Sequence, residues 1–133
     1  MNMKIFNLIC AEGITIEDDS SLIIRNPISR IELPTIPNNY SMNILFSVSE
    51  YDLDDGEKFQ VKINFSEINI FDSGILDFVH PNDIPVEEVN IGNVSFDIKN
   101  LELVGTGVHE VIVTSNNAES IKTYFYVTTP NKE

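Results

Sequence analysis

Residues 40–65 read YSMNILFSVSEYDLDDGEKFQVKINF, and two alternating runs within this stretch decide the fold. The first run has an apolar side chain at every second position: Met42, Ile44, Phe46 and Val48. The second run repeats the pattern: Phe59, Val61, Ile63 and Phe65. Because successive side chains of a strand point to opposite faces, each run predicts a strand with one buried face.

The two runs are separated by Asp54-Asp55-Gly56, which is a turn signal. An Asp-Gly pair supplies the positive φ angles that a tight reversal needs, so the sequence predicts a β-hairpin across residues 40–65. An isolated hairpin is only marginally stable in water. Other strands must therefore cover its apolar face.

The composition indicates one folded domain. The chain has 133 residues, of which 42% are hydrophobic and 22% charged, and alanine occurs only at Ala11 and Ala118. This length suits a single core, and the excess of β-branched and aromatic residues over helix formers favours sheet. We expect one domain over residues 1–129, followed by a short tail at 130–133.

Further short strands are predicted outside the central stretch, each bounded by turn residues. They cover 3–10, 22–26, 28–33, 94–103, 108–114 and 121–128. Ile75 to Val79 fits either a brief strand or one helical turn, because periodicity does not separate the two. Many short strands without a long helix predict an all-β sandwich or barrel.

The end of the chain resembles an immunoglobulin-like sandwich. Gly107 to Val113 and Thr123 to Val127 are similar to the penultimate and last strands of such domains. The resemblance implies an antiparallel β-sandwich of about seven to nine strands with little or no helix, in which His109 points inward. The paired cysteines and core tryptophan of antibody domains are absent.

Most of the chain also resembles small bacterial and prophage-encoded proteins of unknown function. The shared features are an opening apolar strand that ends near Cys10 and the Leu-Ile-Ile, Pro-Ile and Leu-Pro series between Leu22 and Pro34. This resemblance implies a bacterial host and the same fold. It implies no activity and no functional residues.

The sequence offers little for catalysis. A nucleophile needs a neighbouring base, and the histidines are His80, in a predicted loop, and His109, in the predicted core. Cys10 lies in an apolar run, where a buried and inert thiol is expected. Nucleophile-elbow and phosphate-loop motifs are missing. We therefore predict a protein that is not an enzyme and binds no cofactor.

Calcium sites use closely spaced carboxylates around a glycine turn, and the acidic segment at the predicted turn has both features. Asp52, Asp54, Asp55 and Glu57 surround Gly56, but the twelfth position from Asp52 is Ile63, where a bidentate glutamate would be needed. His80 and Asp83 supply only two candidate ligands for a transition metal. The sequence predicts a solvated turn and no metal.

The net charge of −13, from 21 acidic and 8 basic residues, makes direct nucleic-acid binding unfavourable. One set of acidic residues lies mostly in predicted loops: Glu17, Asp18, Asp19, Glu50, Asp52, Asp54, Asp55, Glu57, Asp72, Asp77, Asp83, Glu87 and Glu88. If these loops meet at one end, they form a negative patch that mimics nucleic acid. The alternative function is therefore an acidic phage or mobile-element inhibitor of a host nucleic-acid-binding defence protein.

The leading hypothesis is a non-catalytic module for protein–protein interaction or assembly. With Phe125 and Val127 inward on the last strand, Tyr124 and Tyr126 point outward beside Lys122, and tyrosine is enriched at interfaces. The expected partner is another protein or a second copy. The apolar run at 5–10 is too short for a signal peptide or membrane span, so a bacterial cytoplasmic location is expected.

Overall fold

The computed structural model describes residues 3–18 and 21–130, which form nine strands. They are β1 (Lys4–Ile16), β2 (Leu22–Pro27), β3 (Arg30–Glu32), β4 (Asn38–Ser49), β5 (Glu57–Phe65), β6 (Ile68–Phe78), β7 (Ile91–Leu103), β8 (Gly107–Ser115) and β9 (Ile121–Thr128). No helix occurs in the described ranges, so the all-β prediction is confirmed. Ile75 belongs to β6, which settles that segment as strand. Of the predicted tail, residues 131–133 lie outside the described residues, as do 1–2 and 19–20.

The strands form two sheets that pack as a sandwich. One has the order β2-β1-β4-β7 and the other the order β3-β9-β8-β5-β6. Neighbouring strands are antiparallel except β3, which runs parallel to β9 and pairs through Arg30 with Tyr126 and Glu32 with Thr128. The predicted β-sandwich is thus confirmed.

The predicted hairpin across residues 40–65 is wrong. β4 pairs with β1 and β7, whereas β5 pairs with β6 and β8, so residues 50–56 cross from one sheet to the other. Alternation determines which face of a strand is buried, but it does not choose the hydrogen-bonded neighbour. Gly56 does have the expected positive φ, +72°, yet it serves a connection between sheets.

The two alternating runs therefore face each other across the interior. The rings of Phe46 on β4 and Phe59 on β5 pack edge to face with their centroids 5.1 Å apart. Both side chains are fully buried, as is Phe125 on β9. Burial of each such ring contributes about 1.5–3 kcal/mol, so contact between the sheets stabilises the fold where the hairpin was expected to do so.

The strand β4 is buried on both faces, which its alternation did not predict. Leu45 and Ser47 point away from the core yet are almost completely buried. The Ile14 N–H donates to the side-chain Oδ1 of Asn43 at 2.7 Å, which places the end of β1 against the outer face of β4. The four-stranded sheet is therefore partly covered on its outer side by β1.

Candidate interaction surfaces

The last strand, β9, presents two tyrosines to solvent. Phe125 and Val127 are fully buried, so Tyr124 and Tyr126 between and beside them point outward, with 52% and 54% of their surfaces exposed. β9 lies between β3 and β8 in the five-stranded sheet, which fixes the position of both rings. Neither hydroxyl has a hydrogen-bond partner among the described residues, so both remain available to another molecule.

Cross-strand neighbours complete this surface, which we call the tyrosine face: Arg30, Val108, Glu110, Lys122, Tyr124 and Tyr126. Tyr126 lies opposite Val108 on β8 and Arg30 on β3, and Tyr124 lies opposite Glu110. Val108 is also exposed. Lys122 forms a surface ion pair with Glu110 at 3.4 Å. The face thus has an apolar, aromatic centre with charges of both signs around it.

The acidic residues of the β4–β5 loop form an ordered turn. The Asp52 Oδ1 accepts hydrogen bonds from the backbone N–H groups of Asp55, at 2.9 Å, and Asp54, at 2.8 Å. These two hydrogen bonds hold the pKa of Asp52 below its usual value. The side chains of Asp54 and Asp55 are exposed. Across residues 3–18 and 21–130, no three His, Cys, Asp or Glu side chains are arranged to hold a metal ion.

Glu57, the fourth acidic residue predicted to contact a partner, is instead buried, with 5% of its surface exposed. Its Oε2 accepts from the Asp52 N–H at 2.8 Å, and its Oε1 accepts from the Asn117 side-chain amide at 2.7 Å. Glu57 therefore ties the β4–β5 loop to the β8–β9 loop and offers little surface to another protein.

The two histidines have different surroundings. His80 follows β6 and contacts Tyr51, whose hydroxyl lies 2.7 Å from the His80 Nδ1. The His80 Nε2 lies 2.9 Å from the Ile84 carbonyl oxygen; because a carbonyl only accepts, Nε2 is the donor. Both ring nitrogens of His80 are thus engaged within the protein.

His109 is a core residue with a hydrogen-bond partner, as predicted. It is fully buried between Phe65 and Phe125, with ring centroids 4.6 Å and 5.1 Å away. Burial lowers the pKa of His109, and a hydrogen bond to the Gly107 carbonyl partly opposes this. Cys10 is buried as predicted, and desolvation raises the pKa of its thiol to about 12.

A third surface, on the β6–β7 connection at residues 79–90, was missed from the sequence. From the sequence alone, the acidic residues 86–90 indicate only an exposed connection. In the structure five large apolar side chains stand exposed along and just after this connection: Val79, Ile84, Val86, Val89 and Ile91. Their spacing follows neither a strand nor a helix period, so hydrophobic periodicity does not predict this surface. The sequence feature that could have indicated it is the repetition of β-branched residues between acidic ones.

The described residues contain no helix that would reach across a lipid bilayer. No protein-family model matches the chain, and no curated protein matches it. Among solved structures, the chain is similar to a β-glucosidase, EmGH1, from Erythrobacter marinus, with a TM-score of 0.52 and 11% identity over 95% of this chain. A β-glucosidase from Listeria innocua in complex with isofagomine gives a TM-score of 0.46 at 9% identity, again over 95% of this chain.

The chain spans only 15% of the EmGH1 chain and 16% of the Listeria innocua chain. At 11% identity the likeness to EmGH1 concerns the fold.

Proposed function

We propose that this domain is a non-catalytic module for protein–protein interaction or assembly, and that it binds its partner through the tyrosine face. The observation that carries the proposal is the side-by-side exposure of Tyr124 and Tyr126 on a strand held between two others. Tyrosine rings bury a large area at low entropic cost, and their hydroxyls can form hydrogen bonds with the partner.

The arrangement of the face fits a small interface centre. Val108 extends the apolar surface beside Tyr126, while Arg30, Glu110 and Lys122 supply charged groups at its margin. Interfaces commonly combine such an aromatic centre with a polar rim, and truncating a central tyrosine often costs about 2 kcal/mol of binding free energy.

The test combines light scattering after size exclusion, over a range of protein concentrations, with capture of partners from a bacterial lysate. We expect Tyr124→Ala/Tyr126→Ala to abolish either self-assembly or capture while leaving the unfolding transition in place. The matched control is Ile23→Ala/Ile68→Ala, which removes exposed apolar groups elsewhere. If the tyrosine variant assembles and captures as the wild type does, the proposal fails.

A second candidate function is that of an acidic phage or mobile-element inhibitor, which would block a host nucleic-acid-binding defence protein by mimicking nucleic acid. One observation favours it: the acidic loops meet at one end. Ser49, at the end of β4, pairs with Ile91, at the start of β7, and the Glu50 N–H bonds to the Asn90 carbonyl at 3.3 Å. The β4–β5 loop and the β6–β7 connection, both without lysine or arginine, therefore leave the sandwich together.

If the protein is such an inhibitor, its binding to the partner should weaken steeply with added salt, because salt screens the attraction between its acidic loops and a basic partner surface. Partner capture is compared at about 50 mM and about 500 mM NaCl, where the Debye length falls severalfold. We expect Asp54→Lys/Asp55→Lys to reduce capture more than the control Glu67→Lys/Glu102→Lys, which makes the same change in net charge elsewhere. Capture that is insensitive to salt contradicts the inhibitor function.

We further propose that the sandwich is immunoglobulin-like and acts in the cytoplasm of a bacterial host. The proposed relationship to immunoglobulin-like domains is supported by β8 and β9, which hold the two segments that resemble their last strands and pair with each other. The location is supported by the single cysteine, Cys10, which is a free buried thiol, so the fold does not depend on an oxidising compartment.

A further inference from the structure

An apolar groove of about 460 Å³ opens at the acidic end of the sandwich, on a different surface from the tyrosine face. It lies between the β4–β5 loop and the β6–β7 connection. Its apolar lining includes Ile16, Tyr51, Phe78, Ile84, Val89 and Ile91. A groove of this volume falls in the range that proteins use to hold a large side chain or a small ligand.

The walls of the groove are fixed by internal contacts. The ring of Tyr51 packs edge to face on Phe78 at 4.8 Å, and its hydroxyl bonds to His80. His80 in turn donates to the Ile84 carbonyl, which anchors the first part of the connection. Gly92 allows Phe78 to lie where it does, because a Cβ atom at position 92 would come within 2.3 Å of the ring. The groove is therefore formed before any ligand arrives.

The polar side chains in the lining are already paired, with one exception. Asn90 exchanges hydrogen bonds with the backbone of Glu87 at 3.1 Å and 3.2 Å, and Asn93 accepts from the Ser47 hydroxyl at 2.7 Å. Among the described residues that line the groove, the Glu87 carboxylate is the charged group without an internal partner. A ligand thus meets apolar walls and one free negative charge.

Further negative charge lies beside the groove. Ile16 lines both the groove and a neighbouring hollow that contains Glu17 and Asp18. Neither lining includes a lysine or arginine. The groove is therefore largely apolar, with carboxylates at Glu87 and beside Ile16, which favours a ligand that is apolar in its middle and cationic at its flanks.

We propose that this groove binds a short extended segment of another protein, which inserts a large apolar side chain and carries lysine or arginine on either side of it. The apolar side chain covers Val89 and Ile91, which are otherwise exposed to water. The basic side chains approach Glu87 in the lining and Glu17 and Asp18 beside Ile16. A hot spot of this kind, an anchor in a pocket with charges at its rim, gives both affinity and orientation.

The test is a titration of the ¹⁵N-labelled protein, followed by amide chemical shifts, with the capped peptide Lys-Arg-Phe-Leu-Arg-Lys. Two matched peptides separate charge from apolar contact: Glu-Glu-Phe-Leu-Glu-Glu and Lys-Arg-Ser-Gly-Arg-Lys. We expect the first peptide to shift amides around Glu87, Val89 and Ile91, and to bind at least roughly tenfold more tightly than either control, which corresponds to about 1.4 kcal/mol.

Surface variants then locate the site. Val89→Ser/Ile91→Ser and, separately, Glu87→Lys should each weaken binding of the first peptide by roughly tenfold or more. Ile68→Ser, which changes an equally exposed side chain elsewhere, should leave it unchanged. Tyr124→Ala/Tyr126→Ala should also leave it unchanged, so failure of the tyrosine face and failure of the groove are distinguishable.

Three outcomes overturn the proposal. Equal binding of the two basic peptides would show general attraction to an acidic protein, and shifts confined to residues outside the groove would show a different site. Concentration-dependent dimerisation of the protein alone, abolished by Val89→Ser/Ile91→Ser, would assign the groove to a second copy.

Discussion

The imidazole of His109 donates a hydrogen bond from Nδ1 to the carbonyl oxygen of Gly107 at 3.1 Å, and its Nε2 is buried without a partner among the described residues. The ring is held in its neutral form between Phe65 and Phe125, because a second proton would bring an unpaired charge into the core. This relationship links the stability of the fold to pH.

We predict that the free energy of unfolding falls as the pH drops below about 6.5, the ordinary pKa of histidine. Burial lowers the pKa of folded His109, so in this range the unfolded chain binds a proton that the folded chain does not. The contribution of neutral His109 to the free energy of unfolding is fully present above about pH 6.5. It is lost at up to about 1.4 kcal/mol per pH unit as the pH falls towards the pKa of His109 in the folded protein. Urea unfolding between about pH 5 and 7.5 measures it.

The control variant is His109→Phe, which keeps a buried ring and removes the titrating group. We expect this variant to lose most of the pH dependence, whereas His80→Gln retains it. An identical pH dependence in the wild type and His109→Phe would show that another group is responsible.

Gly56 and Gly74 provide a matched pair for testing the connection between the sheets. Both have positive φ, +72° and +70°, but a Cβ at Gly56 would lie 2.5 Å from the Phe78 carbonyl oxygen, while at Gly74 nothing lies within 4 Å. We predict that Gly74→Ala costs about 1 kcal/mol, the penalty for left-handed backbone alone, and that Gly56→Ala costs about 3 kcal/mol or more. Chemical unfolding measures both, and equal costs would mean that the Gly56 contact relaxes freely.

The hydrogen bond between Glu57 and Asn117 should couple two loops that are distant in sequence. We predict that Glu57→Ala destabilises the protein by about 2–3 kcal/mol, since it leaves the Asp52 N–H and the Asn117 amide without their acceptor. Asn117→Ala should cost about 1 kcal/mol, and the double variant less than the sum. The exposed control Asp54→Ala should change stability by under about 0.5 kcal/mol, and strict additivity of the two changes would rule out the coupling.

Cys10 should resist alkylation while the protein is folded. With the pKa of its thiol raised to about 12 by burial, roughly one molecule in ten thousand carries a thiolate at pH 8. We expect no labelling by iodoacetamide in buffer over an hour and complete labelling in guanidinium, followed by mass spectrometry. Rapid labelling of the folded protein would indicate local opening of β1.

The sequence predicted the fold class because alternation reports burial. Met42, Ile44 and Phe46 are buried as expected, and His109 points inward as expected. The hydrogen-bonded partners of β4 could not be predicted in the same way. A strand with one apolar face can pair with the next strand in its own sheet or pack against a strand of the facing sheet, and the alternation is the same in both cases. The burial of Leu45 could not be predicted for a related reason: it depends on where other parts of the chain lie.

The candidate surfaces were predictable in unequal measure. The outward direction of Tyr124 and Tyr126 follows from the alternation of β9 and was correct. The burial of Glu57 depends on Asn117, sixty positions later, and no local sequence pattern predicts such a contact. The groove is assembled from three separate segments, at Ile16, at Tyr51 and over residues 78–93, so only the tertiary structure reveals it.

The separation of β4 and β5 into different sheets also bears on the order in which the molecule assembles. β5 with β6 and β8 with β9 are hairpins of neighbouring segments, whereas β5 must find β8, and β4 must find β7, far along the chain. Closing either of these long loops costs conformational entropy, so the β5–β6 and β8–β9 hairpins should gain protection before the pairing of β4 with β7. Pulsed hydrogen exchange during refolding would reveal this sequence of events, and earlier protection of β4 and β7 would reverse it.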